Sequence, residues 1–519
     1  GGRSGRSGGA GAGGTGRSGR PRGGRAGPTA SRAAPAGTAT RALAIEALVR
    51  VEAGGYSNLV LPGLLRASGL DGRDRALVTD LVYGTLRSQG RADHLLARAS
   101  HRPLPELDAP VRAALRLGAY QLLSGTAPHA AVGVTVGALS GWSSPASVRR
   151  AAPYANAVLR RVADLGPDWP WPAGDDADAV AVRTSHPRWI VELLRRDLGA
   201  DADAVLAAAN EPPPVTLRPN PLRTTPEALA AELIGGRGGS DGPAGGHPGP
   251  PGGDPAPGRD SRTPAGILVE PGRLVPSALL VRGAGDLARL PAVAEGRATP
   301  QDQASQAVAA AVGARPGEAI LDMAAAPGGK ATAMAEMMGD EGVVVAADLR
   351  RGRAGQVRAA VERLGLVSVQ VVVADGRHLP LRAAGVPGPA GAPGGGGLFD
   401  RVLLDAPCSG LGVLRRRPEA RWRLEPSEID RVAALQRELL TAALAQVRPG
   451  GLVAYSVCTL TREETLDIDA WAAGAFPDHT AVAGPGAPWR SHGRGALLLP
   501  TAAGTDGMFL LLLRAPEHP

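Results

Sequence analysis

Hydrophobic residues recur every three or four positions between residues 38 and 165, and this spacing predicts amphipathic helices. The clearest segments, each with arginines on its other face, are TRALAIEALVRVE, RDRALVTDLVYGTLR, VRAALRLGAYQLL and AAPYANAVLRRVA. Several such helices in succession indicate a bundle around one core. The sequence therefore predicts an all-α domain over residues 38–165.

The pattern changes after residue 300, where short apolar runs alternate with helical stretches. Runs that are apolar on both faces and joined by helices are typical of a doubly wound, mostly parallel sheet. The predicted strands, in order, are EAILDM, VVVAAD, VQVVVAD, FDRVLLD and GLVAYSV, and a last strand, GMFLLLLR, is interpreted as an antiparallel edge or insertion. The sequence thus predicts an α/β Rossmann-like domain over residues 301–519.

Low-complexity segments precede and interrupt these domains. Residues 1–37 are predicted to be a disordered Arg/Gly/Ser-rich tail, residues 235–265 a disordered insertion, and residues 383–397 a surface insertion. The mixed segment 176–300, which contains PPPVTLRPNPLRT, is interpreted as a linker and RNA-binding pre-domain.

The net charge of +8 comes from the tail, because residues 1–41 hold eight arginines and no acid, which leaves residues 42–519 neutral. Such a tail would attract phosphate backbones without reading sequence, or it is a tolerated low-complexity extension, and we assign it no essential role. No apolar run approaches the ~20 residues of a membrane helix, and the chain does not begin with an apolar signal segment. We expect a cytoplasmic protein without a membrane partner.

Only two cysteines occur, Cys408 and Cys458, and no His pair has ligand spacing, so the sequence predicts no metal site. Each thiol is either a structural core residue or a reactive group.

The chemically informative residues follow predicted strands, at the edge where doubly wound sheets bind ligands. They are Asp322 to Lys330 after the first strand, Asp348 after the second, Asp375 after the third, Asp405 to Cys408 after the fourth and Cys458 after the fifth. One aspartate at a strand end is often only a helix cap, but several in register favour a ligand. By analogy with nucleotide-binding folds, Asp348 suits ribose hydroxyls and Asp375 an adenine amino group.

The segment AAAPGGK raises the alternative of a phosphate-binding loop, which fails at two positions. The first Gly of that motif is Ala324 here, and Ala331 follows Lys330 where the motif has a magnesium-binding Ser or Thr. Gly328 and Gly329 still allow the backbone to approach a ligand at a helix N-terminus.

Two thiols at one ligand edge suit methyl transfer to cytosine. Carbon 5 of cytosine is a poor nucleophile, but addition of a thiolate to carbon 6 makes carbon 5 enamine-like, and it can then attack a methylsulfonium. Loss of the carbon 5 proton expels the enzyme, and a second thiol near that carbon could assist this step.

Six segments resemble, in order, the motifs of RNA cytosine-5 methyltransferases: DMAAAPGGKA, AADLRRGR, VADGRHLP, FDRVLLDAPCSGLGVLRRRPEARWR, GGLVAYSVCTLTREE and DGMFLLLL. PQDQASQAV resembles the start of their catalytic domain, and the helical region, closing with NAVLRR, resembles a NusB-like RNA-binding domain. The combination is similar to the RsmB (Sun) family of bacterial 16S rRNA methyltransferases. It implies an S-adenosylmethionine-dependent methyltransferase domain with a mostly parallel, seven-stranded sheet.

The resemblance also implies a role for each site residue. Cys458 matches the nucleophile, Cys408 matches the cysteine that assists release of the methylated RNA, and Asp405 and Lys330 are further catalytic residues. The residues implied to bind S-adenosyl-L-methionine or to shape its pocket are Ala324, Ala325, Ala326, Pro327, Gly328, Gly329, Lys330, Asp348, Arg353, Asp375 and Asp405. DNA cytosine methyltransferases use the Pro-Cys thiol instead, so the presence of both thiols favours RNA. Val457 departs from the family, which usually has Thr there.

Lys330 is the only lysine among 57 Lys and Arg residues. A compact ammonium within reach of Asp405 and the cytosine would explain why the bulkier, planar guanidinium of arginine does not occupy this position.

The implied substrate is 16S rRNA, at cytosine 967 by family resemblance, presented as an unpaired base. The five arginines at 415–417, 421 and 423 flank Cys408 and are interpreted either as phosphate ligands or as a solvated helix face. Two alternatives stay open: methylation of another RNA such as tRNA, and a NusB-like RNA-binding or antitermination factor with an inactive transferase domain. A monomer is favoured.

Overall fold

A computed structural model describes residues 37–143, 145–235, 267–379 and 399–517. The predicted tail and both predicted insertions lie outside these residues, apart from Gly37 and Gly235.

The first part of the chain is a helical bundle, as predicted. Its helices are α1 (Thr38–Glu52), α2 (Ser57–Ala67), α3 (Gly72–Arg87), α4 (Gln89–Ala99), α5 (Ala109–Leu123), α6 (Pro128–Ser140), α7 (Ala146–Arg150) and α8 (Ala152–Asp164). The four segments singled out by periodicity form α1, α3, α5 and α8. Their apolar faces share one core, in which side chains such as Ile45, Leu95 and Leu159 are fully buried.

The middle segment contains three helices and then a small antiparallel sheet. The elements are α9 (Ala177–Thr184), α10 (Arg188–Leu198), α11 (Ala202–Ala208), β1 (Val215–Pro219), α12 (Pro226–Gly235), β2 (Leu268–Pro271), β3 (Leu279–Arg282), α13 (Pro291–Ala294) and β4 (Ala298–Pro300). The strand order is β2-β3-β1-β4, with every pair antiparallel. Helices α9 to α11 pack into the core of the next domain, so this part of the segment is not a linker.

The last part of the chain is a doubly wound α/β domain. Its helices are α14 (Gln303–Val312), α15 (Gly329–Met337), α16 (Arg351–Leu364), α17 (Pro426–Gln446), α18 (Leu466–Ala475) and α19 (Pro500–Ala503). Its strands are β5 (Ala319–Asp322), β6 (Val343–Asp348), β7 (Val369–Val373), β8 (Phe399–Asp405), β9 (Val447–Val457), β10 (Thr480–Val482), β11 (Arg490–His492), β12 (Gly495–Leu498) and β13 (Met508–Arg514).

This sheet has nine strands among the described residues where seven are predicted. Strands β9-β8-β5-β6-β7 are parallel, and β13, β12, β11 and β10 extend the β9 side with antiparallel pairs. Strand β13 is therefore inserted between β9 and β12 and is not an edge. Strands β11 and β12 are joined by a two-residue turn and β12 and β13 by nine residues, and connections this short allow only antiparallel pairing. No helix among the described residues is long and apolar enough to cross a membrane.

Candidate active site

The predicted site residues lie at one edge of the large sheet because the central strands are parallel neighbours. In the order β9-β8-β5-β6, the strands end at Val457, Asp405, Asp322 and Asp348. Parallel strands present their carboxyl ends at the same edge, and the loops that follow converge there. Asp375 follows β7, the outermost strand on this side.

The loop from Ala324 to Lys330 turns from β5 into α15 at Gly328. This glycine has φ +106° and precedes the first residue of the helix. A Cβ there would lie 3.2 Å from the Cα of Val357 on α16, so both the backbone conformation and the packing require glycine. The loop thus presents main-chain groups and the positive end of the helix dipole to the sheet edge, as a nucleotide-like ligand requires.

Lys330 and Asp405 form an ion pair across this edge. The Lys330 Nζ lies 2.5 Å from Asp405 Oδ2, and the lysine side chain is only 11% exposed. Burial lowers the pKa of Lys330, but Asp405 more than compensates, with a smaller contribution from Cys458, and the net pKa is raised. The hydroxyl of Ser456, which the sequence did not single out, donates to Asp405 Oδ1 at 2.7 Å. Asp405 is therefore fixed by two donors.

Asp322 is a buried carboxylate with almost no hydrogen bonding. It is 1% exposed, and neither of its oxygens accepts a well-aligned hydrogen bond from a described residue, although the main-chain N–H of Ala324 lies close enough to lower its pKa slightly. Burial, reinforced by Asp405 and opposed by Lys330, raises its pKa to about 7. A buried, unpaired carboxylate beside a glycine-lined loop fits a ligand that carries an ammonium group, such as the methionine part of S-adenosylmethionine.

The acids on the outer strands are paired with arginines. Asp348 accepts from Arg353 Nε at 3.0 Å, and Arg353 also donates to the carbonyl of Ala326 at 3.0 Å, which connects α16 to the loop 324–330. Asp375 accepts from Arg377, and this interaction lowers the pKa of Asp375 to about 2.

Leu349, directly after Asp348, is 62% exposed. Sequence reasoning missed it because one exposed leucine is unremarkable until its neighbours are known. It leaves an apolar surface exposed just after β6, next to Asp348.

The two thiols are in contact. Cys408 Sγ and Cys458 Sγ lie 3.2 Å apart, on the loops after β8 and β9. The hydrogen bond with Cys458, and then burial, raise the pKa of Cys408 well above its usual value. Cys408 therefore stays protonated and can donate its S–H to Cys458.

A buried carboxylate that the sequence analysis did not single out connects both cysteine loops. Glu464, with no exposed surface, accepts from the main-chain N–H and the hydroxyl of Ser409 beside Cys408. It also accepts from the hydroxyl of Thr459 beside Cys458, at 3.1 Å, and from Gln436 of α17, at 3.0 Å. The relative position of the thiols thus depends on one carboxylate.

Four of the five arginines after Cys408 are paired within the protein, and two of these are buried and two half-buried, so the structure supports neither a free phosphate ligand nor a solvated helix face for these four. Arg421 is fully buried and donates to main-chain carbonyls at the ends of α9 and α11. Arg423 donates to carbonyls at the end of α1, and Arg415 and Arg416 pair with buried carboxylates near α14 and β13. Only Arg417 is exposed without a side-chain partner among the described residues.

The chain matches three family models. The model described as 16S rRNA methyltransferase RsmB/F matches residues 309–514, the NusB family matches 38–164, and the RsmF/B-like ferredoxin-like domain matches 186–235. The ribosomal RNA small subunit methyltransferase B of Pseudomonas putida is 34% identical over 476 residues, which cover 90% of this chain and 97% of that protein. The chain belongs to the RsmB family. Its cofactor is accordingly S-adenosyl-L-methionine, and its fold is a NusB domain followed by the methyltransferase domain.

A further relative and a solved structure are also similar to this chain. A putative methyltransferase of Mycobacterium tuberculosis is 35% identical over 508 residues, which cover 91% of this chain and 96% of that protein. The crystal structure of PH0851 shares the fold, with a TM-score of 0.74 and 24% identity over 92% of this chain and 98% of that chain.

Proposed function

We propose that this RsmB-family protein methylates carbon 5 of a cytosine in 16S rRNA, with Cys458 as the nucleophile. The observation that carries the proposal is the contact between Cys408 and Cys458 at the edge where Lys330 and Asp405 are paired. Two thiols 3.2 Å apart can act on one pyrimidine ring.

Each residue then has a definite task. The Cys458 thiolate adds to carbon 6, forming a C–S bond and moving the electron pair of the C5–C6 double bond to carbon 5. Carbon 5 then takes the methyl group that S-adenosylmethionine would supply, and the bond between that methyl group and the sulfonium breaks, so that the neutral thioether S-adenosylhomocysteine leaves. When carbon 5 loses its proton to a base, the double bond re-forms and the C–S bond breaks, which returns the electron pair to Cys458. Cys408, in contact with Cys458, assists this elimination.

Lys330 and Asp405 orient the base during these steps. The Lys330–Asp405 pair presents a charged donor and a charged acceptor in a largely water-excluded space, where fixed charges act more strongly than in water. Ser456 restricts the carboxylate to one orientation. The loop 324–330, Asp348 and Asp375 are assigned to the cofactor, with Arg353 fixing the position of Asp348.

The rRNA target is supported by the names of relatives. The Pseudomonas putida protein is a ribosomal RNA small subunit methyltransferase B, and the similarity to it extends over both the helical and the transferase regions. We assign cytosine 967 by the same resemblance.

The test is to trap the covalent RNA adduct. Cys408→Ser should add to its target but release it slowly, so protein isolated from growing cells should contain a nuclease-sensitive species that migrates slowly on a denaturing gel. The double variant Cys408→Ser, Cys458→Ala should not form it. Sequencing the trapped RNA identifies the target, and a transfer RNA there would replace the rRNA assignment. If Cys408→Ser binds S-adenosylmethionine but forms no adduct, the cytosine mechanism is wrong.

A further inference from the structure

An arginine from the small antiparallel sheet contacts the cofactor loop. Arg218 lies on β1, is 8% exposed, and extends from its sheet into the transferase domain. Its guanidinium makes a bidentate pair with Glu336 of α15, with contacts of 2.8 and 3.0 Å. It also donates to the hydroxyl of Thr332 at 3.1 Å and to the carbonyl of Gly329 at 2.6 Å.

These acceptors all lie on α15, and two of them are in its first turn, next to Lys330. Thr332 in turn donates to the carbonyl of Gly328 at 2.8 Å. Gln301, just after β4, accepts from the same guanidinium and lies against Gly329. Side chains of the small sheet and of Gln301 next to it therefore hold the main chain at the start of α15 in place.

An ion pair between Arg218 and Glu336 does not by itself explain why the guanidinium also donates to Gly329 and Thr332. A buried ion pair gives little net stability, because desolvation of both charges offsets their attraction. The planar fork of arginine, however, can bind a carboxylate and still direct its remaining N–H groups to other acceptors. Here those N–H groups reach Gly329 and Thr332.

We propose that Arg218 is a positioning residue for the cofactor loop, acting from the antiparallel sheet on the first turn of α15. This proposal rests on the assignment of residues 324–330 to S-adenosylmethionine made above. By fixing the Gly329 carbonyl, Arg218 sets where the loop amides and Lys330 stand relative to Asp405. The small sheet thus contributes to the cofactor site through Arg218, although none of its strands lies at the carboxyl edge of the large sheet.

The chain offers a matched control. Arg363 of α16 also connects the transferase domain to the small sheet. It donates to the carbonyls of Val293 and Ala298 and to the hydroxyl of Thr299. Its hydrogen bonds do not involve the cofactor loop or α15. Arg363→Met therefore measures the effect of loosening the contact between the sheets, and Arg218→Met adds the loss of the loop contacts.

The experiment measures the affinity of the full chain for S-adenosylmethionine by titration calorimetry and its thermal stability by calorimetry. Arg218→Met leaves Glu336 buried and unpaired, so the double variant Arg218→Met, Glu336→Leu is included to restore stability. We expect both Arg218 variants to bind the cofactor at least tenfold more weakly, with the double variant melting close to Arg363→Met. Arg363→Met should bind within twofold of the unmodified protein.

Two results would overturn the proposal: wild-type affinity in the stable double variant, or an equal loss of affinity in Arg363→Met. If the methionine variants do not fold, Arg218→Lys serves instead, because it keeps a charge for Glu336 but lacks the fork that reaches Gly329. Wild-type affinity in a folded Arg218→Lys protein would overturn it equally. Gly328→Ala tests the assignment of residues 324–330 separately from the role of Arg218. If this variant binds S-adenosylmethionine as tightly as the unmodified protein, residues 324–330 are not the cofactor loop.

Discussion

Lys330 places a compact ammonium in a mostly buried position beside Asp405. Its side chain is 11% exposed and its Nζ lies 2.5 Å from Asp405. Lys330→Arg keeps the charge but replaces a point donor with a planar fork, so Asp405 must move or the pair must separate. We expect the turnover number to fall roughly 10- to 100-fold, which is less than the roughly 100- to 1000-fold typical for complete loss of an oriented donor because the charge is kept. Methyl incorporation into RNA at saturating cofactor measures it.

The reverse exchange at a nearby position is the control. Arg358 is exposed on α16 and takes no part in the contacts described above, so Arg358→Lys should change turnover less than about threefold, as for other surface substitutions. Circular dichroism should show an unchanged fold in both variants. If Lys330→Arg keeps the turnover number of the unmodified protein, arginine serves as well as lysine at this position, and the chemistry of the site does not explain why it is a lysine.

Asp322 makes stability depend on pH near neutrality. Its pKa is raised to about 7 by burial, whereas an aspartate in the unfolded chain titrates near ~4. Between these values the folded protein keeps a proton that the unfolded chain has released, so the contribution of Asp322 to stability falls as pH rises through this window. Asp322→Asn removes the titration. Its advantage in free energy of unfolding over the unmodified protein should grow by roughly 2 to 3 kcal/mol between pH 5 and pH 8.

Urea unfolding of cofactor-free protein at the two pH values tests this prediction. Asp168→Asn, at an exposed position, is the control and should leave the pH dependence unchanged. A constant difference between Asp322→Asn and the unmodified protein at both pH values would show that Asp322 is ionised throughout.

At the scale of elements, Glu464 connects the loop after β8 to the loop after β9. Glu464→Gln replaces an acceptor of several hydrogen bonds with an amide whose NH₂ group faces other donors, including the Ser409 N–H. We expect a loss of about 2 to 4 kcal/mol of stability, since buried donors are left unpaired. Because Ser409 and Thr459 are next to the two cysteines, the turnover number should fall at least tenfold, measured at a temperature where the variant is folded.

Glu463→Gln is the matched control for this substitution. Glu463 is the adjacent glutamate, but it forms a surface pair with Arg196 and is not part of the buried network. It should stay within about 0.5 kcal/mol of the unmodified protein, as for other surface positions. Equal turnover in the two variants would indicate that the network has no part in placing the thiols.

The sequence predicted those helices and strands well whose apolar residues form a clear local pattern. The parallel strands are mostly apolar runs, so β5 to β9 were predicted as strands and the site residues were predicted at their carboxyl ends, whereas the order of the strands in the sheet came only from the structure. Strands β1 to β4 have only three to five residues, and three of them end at a proline, so they are too short to show a period of two in the sequence. The partners of Glu464 and Arg218 come from distant segments, and no local pattern encodes such contacts.

At the scale of the whole molecule, the segment after Cys408 joins the helical bundle to the transferase. Glu419, 3% exposed, accepts from the main-chain N–H of Ser57 at 3.0 Å and from its hydroxyl at 2.8 Å, at the start of α2. Arg423 donates to carbonyls at the end of α1. Because this segment follows the Cys408 loop directly, the bundle has a fixed position relative to the thiols and can present bound RNA to them.

Glu419→Ala should weaken the contact between the helical bundle and the segment after Cys408 without altering the core of the transferase domain. It leaves the buried Ser57 groups unpaired, and we expect about 2 to 3 kcal/mol of destabilisation and an earlier calorimetric transition of the bundle. Affinity for S-adenosylmethionine should be unchanged, whereas the KM for a long RNA substrate should rise several-fold because the bundle no longer has one orientation. Glu425→Ala, an exposed position in the same segment, should change neither quantity. If Glu419→Ala keeps the KM of the unmodified protein, the orientation of the bundle does not contribute to RNA recognition.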